Sequence, residues 1–155
     1  MNCIIRKVEI KDYESVNVIM GQVQQMHIAW RPDIYKHLEP IIPLNIFEKI
    51  VSGDTFFVAE LQGKVVGIME VIIRHIESPA HVTRDIIFID SMAVDENYRG
   101  KGIGHMFFEK VKEMKKQKGF HGIELQVNAR NNAAYEMYKN YGFTEKSINM
   151  ELLDD

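Results

Sequence analysis

The sequence predicts an α/β fold built on a mixed sheet, in which some neighbouring strands run antiparallel and others parallel. Residues 55–61 and 65–76 are strand-like runs joined by a short glycine-containing turn, which predicts an antiparallel hairpin. Farther along, residues 81–94, 100–118 and 123–127 follow one another as strand, amphipathic helix and strand. That order is typical of a parallel crossover unit, so the sheet should contain both kinds of pairing.

The first part of the chain supplies one strand and two helices. Residues 3–8 form a strand-like run, and Asp12 is expected to cap the helix that follows and continues to Trp30. Pro43 is expected to open a second helix that Gly53 ends. The apolar face of the first helix consists of Val16, Ile19, Met20, Val23, Met26 and Trp30.

The last part of the chain supplies the longest helix and the final strands. After the strand at residues 123–127, we expect a short helix at 132–141 and a last strand at 143–152. The predicted order is therefore strand, two helices, three strands, helix, strand, helix and strand. The long helix at residues 100–118 presents one apolar face, made of Ile103, Met106, Phe107, Val111 and Met114.

The bulk composition restricts the class of protein. With 155 residues and 46% apolar residues, residues 1–155 suit a single folded domain. The formal charge of -3 disfavours a nucleic-acid binder. Cys3 is the only cysteine, so an internal disulfide is excluded, and no run approaches the roughly 20 apolar residues of a membrane span. No signal peptide is evident, and we expect a cytoplasmic protein without a membrane partner.

A glycine-rich loop before the long helix carries the first chemical signal. Gly100, Gly102 and Gly104 let the backbone approach a ligand closely, and Arg99 and Lys101 add positive charge. The free amides at a helix N-terminus favour phosphate groups. The loop therefore predicts a pyrophosphate-binding site.

Three kinds of nucleotide-binding loop can be compared with this pattern. A Walker loop needs Gly-Lys-Ser/Thr, which does not occur here. A dinucleotide fingerprint needs a third glycine where His105 stands. The coenzyme A loop, R-x-x-G-x-G, is matched by Arg99, Gly102 and Gly104. A tight glycine turn without a ligand remains the alternative.

A second motif farther along removes most of that ambiguity. The strand and turn at residues 125–131 lead into Ala134, Tyr138 and Gly142-Phe143. Together with the glycine loop, this pattern resembles the GNAT superfamily of N-acetyltransferases over residues 89–143. The resemblance implies a mixed, partly antiparallel central sheet flanked by helices, with two strands splayed around acetyl-CoA.

The resemblance also implies which residues bind acetyl-CoA. The backbone of Met92, Ala93 and Val94 would bond the pantetheine arm, and the Val94 amide would polarise the thioester carbonyl. Asn131 matches a cofactor contact of the family, and it could equally cap the helix that follows. The pyrophosphate would lie against the main chain of Arg99, Gly100, Lys101, Gly102, Ile103 and Gly104.

Tyr138 matches the general acid of the family. Attack of an amine on a thioester expels a thiolate, and a phenol at the end of the cofactor channel can supply its proton. The alternative is a core tyrosine, because Tyr138 shares a helical face with Ala134, Met137 and Tyr141. Tyr135 and Tyr141 are expected to have packing roles.

The general base is less clear from the sequence. Relatives place a glutamate where Gln126 stands, and Glu124 lies on the same face but farther from the thioester. Asp90 and Glu70 are the candidate catalytic carboxylates, with Asp90 first and Glu70 second. Surface or salt-bridged carboxylates are the alternative for both.

Histidines in the sequence do not suggest a metal site. His75 and His81 lack partners at metal-ligand spacing, so no metal is expected. His27 and residues 31–36 correspond to a region that often forms the acceptor wall in the family. A helix end and loop without a ligand explain the same residues equally well.

We therefore expect an acetyl-CoA-dependent N-acetyltransferase that acts on a primary amine of a small molecule by direct attack in a ternary complex. Two alternatives remain: transfer to a protein or peptide amine, and a non-catalytic acyl-CoA sensor. Family habit also allows a homodimer.

Overall fold

The computed structural model describes residues 2–154 and shows helices packed on both faces of one five-stranded sheet. Two short 3-10 helices, Ile10–Asp12 and Glu96–Tyr98, precede the first and third α-helices. None of the helices within residues 2–154 combines the length and the apolar character that crossing a bilayer requires. In chain order, the elements are β1 Cys3–Lys7, α1 Tyr13–Trp30, α2 Leu44–Ser52, β2 Phe56–Leu61, β3 Lys64–Ser78, β4 His81–Val94, α3 Ile103–Lys118, β5 Gly122–Leu125 and α4 Asn132–Tyr141.

The sheet confirms the predicted mixture of pairings. Its strands lie in the order β1-β2-β3-β4-β5, and only the last pair, β4 with β5, is parallel. The β2–β3 hairpin turns at Gln62 and Gly63, which have φ angles of 51° and 79°. A left-handed conformation at both positions matches the twist of a two-residue hairpin turn.

Each face of the sheet buries its own core. On one face, Phe107, Phe108 and Val111 of α3 pack against residues such as Met69 and Ile87, all at most 2% exposed. On the other face, residues of α1 and α2 pack against β2 and β3. The fully buried members of that second cluster are Val16, Ile19, Phe47, Phe56, Val58 and Ile68.

The predicted last strand at residues 143–152 is wrong. The C-terminal segment, residues 143–154, has no regular secondary structure and no sheet partner. Side chains attach it to the rest of the chain: Lys146 pairs with Glu124 at 2.8 Å, and Glu151 pairs with Arg31. An alternating apolar pattern gives a strand only where a neighbouring backbone edge is in register, and these contacts do not provide one.

Some element boundaries and one helix cap also differ from the prediction. The long helix begins at Ile103 rather than residue 100, because Gly100 and Gly102 have φ angles of 76° and 82° that interrupt a helix. β5 ends at Leu125 rather than residue 127, where it leaves β4. Asp12 stands before α1, but its side chain does not cap that helix. Instead it accepts hydrogen bonds from Arg6 and from the Glu9 amide.

Candidate active site

The site begins where β4 and β5 diverge. Their last paired residues are Ile89 and Leu125, while β4 continues along β3 as far as Val94. The edge of β4 that faces β5 is therefore unpaired beyond Ile89. A cavity of about 570 Å³ opens there, lined by both strands, α1, the glycine loop and α4.

A β-bulge directs Asp90 into this cavity. In the β3–β4 ladder, Glu70 lies opposite Ser91 and Val71 lies opposite Ile89, so Asp90 is the extra residue. Asp90 is exposed and lines the cavity. Glu70 is only partly exposed and is not among the lining residues. Its pKa is raised, first by burial and then by the negative charge of Asp90. The two predicted carboxylates thus lie close together, with only Asp90 at the cavity wall.

The glycine loop presents free backbone donors to the cavity. Gly102 precedes α3 in a left-handed conformation, and no side chain caps the helix. The first amide that bonds within the helix belongs to Met106, which donates to the Gly102 carbonyl at 3.2 Å. The amides of the first turn are therefore left for a ligand, at the positive end of the helix dipole.

The remaining loop residues are arranged around these amides. Arg99 and Gly104 line the cavity with Gly100, Gly102 and Ile103, whereas Lys101 is exposed beside it. The Arg99 side chain donates to the Val94 carbonyl at 3.2 Å. A Cβ at Gly104 would lie 3.3 Å from Sδ of Met137, so a larger residue there would push against α4.

The predicted pantetheine contacts lie on the diverging edge of β4. Met92, Ala93 and Val94 pair with β3 on one side and line the cavity on the other. Asn131 lines the same cavity, and its side chain accepts a hydrogen bond from the Ala134 amide at 3.1 Å. The helix-cap interpretation of Asn131 is therefore correct, and the cofactor contact remains a prediction.

Tyr138 reaches the cavity from α4. Its ring packs edge-on against Phe108 and Phe143, with centroid separations of 5.8 and 5.9 Å. Burial raises the pKa of its hydroxyl, so the group keeps its proton at neutral pH. The hydroxyl bonds to no other side chain or backbone group within residues 2–154. This leaves a protonated donor facing the space between the strands.

The other two tyrosines of α4 have partners away from the cavity. The Tyr135 hydroxyl donates to Glu145, and the Tyr141 hydroxyl donates to Glu109. Neither residue lines the cavity between β4 and β5. Their positions agree with the packing roles expected from the sequence.

Another part of the cavity wall comes from α1 and includes residues that the sequence pattern assigned to a core face. Met20, Val23 and Met26 line the cavity and are partly exposed, whereas Val16 and Ile19 of the same helix are buried. Helical periodicity marks both sets as apolar and cannot distinguish a core face from a cavity wall. His27 also lines the cavity, one turn beyond Val23.

Other candidates from the sequence lie outside the site. Glu124 faces Lys146 and Arg84 instead of the cavity, while Gln126 lines it. His75 bonds Asp85 and Glu77 on the β3–β4 hairpin. Within the described part of the chain, no three His, Cys, Asp or Glu residues are grouped so that they could hold a metal ion.

Comparison with known proteins identifies the family. Residues 22–143 match the model of the acetyltransferase (GNAT) family. The chain therefore belongs to this family, which confirms the expected family, and the family is one of acyltransferases. Over 95 residues it is 37% identical to an uncharacterized N-acetyltransferase of Methanocaldococcus jannaschii, covering 61% of this chain and 41% of that protein. Over 96 residues it is 35% identical to the N-acetylaspartate synthetase of Xenopus tropicalis, covering 62% and 33%.

Solved structures share the fold over nearly the whole chain. A mutant of the BH1408 protein from Bacillus halodurans has a TM-score of 0.87 and 29% identity, with 97% of this chain and 98% of that chain covered. The aminoglycoside N-acetyltransferase AAC(6')-Iy in complex with CoA has a TM-score of 0.72 and 18% identity, with 99% and 95% covered. By contrast, the chain spans less than half the length of the two sequence relatives.

Proposed function

We propose that this protein transfers an acetyl group from acetyl-CoA to the primary amine of a small molecule, by direct attack within a ternary complex. One observation carries the proposal. A single cavity is lined both by the residues with free amides in the first turn of α3 and by Tyr138, whose hydroxyl has no partner within residues 2–154. The free amides suit an anion such as a phosphate, and the Tyr138 hydroxyl can donate a proton to a departing thiolate.

The residues present fit acetyl-CoA. The first-turn amides of α3 suit a pyrophosphate, and the left-handed glycines keep Cβ atoms away from it. The unpaired edge of β4 offers backbone groups to an extended pantetheine arm. The aminoglycoside N-acetyltransferase of the same fold is described in complex with CoA, which supports the same cosubstrate here.

The chain's own residues would divide the reaction between them. Acetyl-CoA supplies an activated thioester. Met92 and Ala93 would align its arm through the β4 backbone, and the Val94 amide would donate a hydrogen bond where negative charge develops on the thioester oxygen. Tyr138 would then donate its proton to the sulfur as the bond to carbon breaks.

The charge of the cavity favours a cationic amine. Asp90 is the acidic residue at its wall, and Arg99, the one lysine or arginine among the described lining residues, belongs to the glycine loop. An aspartate acceptor, as the name N-acetylaspartate synthetase implies for those relatives, would bring two carboxylates towards Asp90. We therefore favour an acceptor whose charge near the site is the ammonium group itself.

The test is free-thiol release from acetyl-CoA with a panel of amines, run with calorimetry of acetyl-CoA binding. The panel comprises n-butylamine, putrescine, kanamycin, aspartate and a peptide with a free N-terminus. Release with the small cationic amines is expected. Thiol release with the peptide and with none of the small amines would mean that the acceptor is a protein and not a small molecule. Binding without release would indicate the sensor, and absence of binding would overturn the proposal.

The proposal includes a homodimer built through the C-terminal segment. Ile148, Met150 and Leu152 are 80%, 86% and 89% exposed, and they occupy every second position of a segment without regular secondary structure. Such a row of exposed aliphatic side chains is unusual in a monomer. Within residues 2–154, strand β5 pairs only with β4, so it also has an unpaired edge. A second copy would offer the same two features in return.

Sedimentation of the wild type and of an Ile148→Ser, Met150→Ser double variant tests the dimer. The wild type should sediment as a dimer and the double variant as a monomer. Val82→Ser is the matched control, because Val82 is equally exposed at 80% but lies on the β3–β4 hairpin. A monomeric wild type would remove the dimer from the proposal.

A cytoplasmic location completes the proposal. Cys3 is the only cysteine in the sequence and is a free thiol in the structure. A chain without a disulfide suits a reducing compartment.

A further inference from the structure

His27 holds a fixed position at the acceptor side of the cavity. It lies on α1 one turn beyond Val23, and both side chains line the cavity. The imidazole is flanked by two aromatic rings, with centroid separations of 4.7 Å to Tyr35 and 5.9 Å to Trp30. These neighbours restrict the rotation of the ring. The orientation of the imidazole is thus set by the protein before a substrate arrives.

Neither ring nitrogen of His27 has a hydrogen-bond partner within residues 2–154. By contrast, four other histidines have a ring nitrogen in a hydrogen bond: His37, His75, His81 and His121. The half-buried imidazole lines the cavity, so a polar group bound in the cavity can reach a ring nitrogen. Burial lowers the pKa of His27 below its usual range, which keeps the ring neutral and able to accept a proton near pH 7.

Among the charged and titratable groups around His27, the others already have a partner or a different role, so His27 is the group suited to accept a proton. Asp90 on β4 can hold an ammonium ion, and Tyr138 on α4 keeps its own proton. Arg31, after α1, is paired with Asp33 and Glu151. Arg130 donates to the Trp30 carbonyl at 2.6 Å. Arg99 and His105 line the part of the cavity next to the start of α3, and His105 faces Glu109.

We infer that His27 is the proton acceptor for the amine substrate. The inference rests on the proposed function. A substrate ammonium carries three protons and the product amide nitrogen carries one, so two must leave. His27 accepts one of them at a ring nitrogen, which frees the lone pair that forms the C–N bond. The other replaces the proton that Tyr138 gives to sulfur when the C–S bond breaks. His27 then releases its proton to water.

The experiment follows thiol release with n-butylamine and putrescine from pH 5 to 9 for four proteins. They are the wild type, His27→Gln, His27→Ala with and without added 4-methylimidazole, and His37→Gln. His37 is the matched control, because its side chain is 69% exposed and faces Glu39 outside the cavity. In parallel, NMR of histidine-labelled protein follows the His27 imidazole while n-butylamine is added in the presence of CoA.

The expected results separate a proton acceptor from a packing residue. Wild-type kcat/KM should rise with pH through an ionisation below about 6.5 and then level off. His27→Gln should lose that ionisation and about 100-fold in kcat, with 4-methylimidazole restoring part of the rate of His27→Ala. The His27 resonances should shift with n-butylamine, and His37→Gln should behave as the wild type.

Three results would overturn the inference, and they have different meanings. A His27→Gln variant with the wild-type kcat and pH profile would remove the proton role while leaving the transferase intact. The same holds if the variant changes only KM and 4-methylimidazole gives no rescue. Absence of thiol release by the wild type with either amine would overturn the role of His27 and the small-amine proposal together.

Discussion

Asp90 stands at the β-bulge of β4, and its negative charge contributes to the raised pKa of Glu70 on the neighbouring strand. Replacing Asp90 by Asn removes that charge, so the pKa of Glu70 should fall towards its usual value. Carbon-detected NMR of the Glu70 carboxyl measures the shift. The same variant should raise KM for a cationic amine about tenfold with little change in acetyl-CoA affinity. An unchanged KM would mean that Asp90 does not contact the acceptor.

Tyr138→Phe should lower kcat by about 100- to 1,000-fold and leave acetyl-CoA binding unchanged, because only the proton donor is lost. Turnover is measured as thiol release and binding by calorimetry. Tyr141→Phe is the matched control, since the Tyr141 hydroxyl bonds Glu109 outside the cavity. Equal turnover by the two variants would remove Tyr138 from the role of general acid.

Gly102→Ala should weaken acetyl-CoA binding, since the loop amides depend on a φ angle of 82° that alanine adopts poorly. The strain should also lower the free energy of unfolding by about 1 kcal/mol. Gly63 has a similar φ angle of 79° in the β2–β3 turn, and a Cβ at either glycine meets no atom within 4 Å. Gly63→Ala should therefore show the same destabilisation with normal binding. Calorimetry and urea unfolding of the two variants separate the effects.

The Asp12 carboxylate accepts hydrogen bonds from both terminal nitrogens of Arg6, at 2.8 and 2.9 Å. Burial alone would raise the pKa of Asp12, but the bonds from Arg6 and from the Glu9 amide hold it below the usual value. Its charged form therefore stabilises the fold above about pH 4, and this stabilisation is lost as the pH falls through the lowered pKa.

Asp12→Asn should lower the free energy of unfolding by about 2 kcal/mol at pH 7 and flatten its decline between pH 4 and 2. Urea unfolding across that range measures both. Glu48→Gln is a suitable comparison, since Glu48 is exposed on α2 and its side chain has no hydrogen bond or ion pair among the described residues. If Asp12→Asn and the wild type lose stability in parallel below pH 4, this ion pair is not responsible for the acid sensitivity.

Local chemistry explains what could be predicted from the sequence. The glycine loop and the first-turn amides of α3 depend on residues adjacent in the chain, and the structure leaves these amides without helix partners beside the cavity. The predicted hairpin likewise depends on its own turn at Gln62 and Gly63.

Features that depend on distant partners could not be predicted in this way. A strand at residues 143–152 needs a matching edge, and none lies in register with it among the described residues. The bulge at Asp90 arises from the β3–β4 register, which alternation along β4 alone does not show. The cavity-facing side of α1 has the same apolar spacing as its buried side. Periodicity therefore could not show that Met20 and Met26 face open space.

The two parts of the cavity, one proposed for acetyl-CoA and one for the amine, are formed by different kinds of groups: main-chain amides in the first and side chains in the second. The part of the cavity proposed for acetyl-CoA consists of main-chain amides in the first turn of α3 and along β4, which most side-chain substitutions leave in place. The part proposed for the amine consists of side chains on α1. Val23 and Met26 line the cavity and belong to neither core cluster, whereas Met20 also packs against the core beneath α1. Substitutions on this one helix face should therefore change the choice of amine while acetyl-CoA affinity stays constant. This arrangement makes the chain a suitable scaffold for redirecting acetylation to new amines.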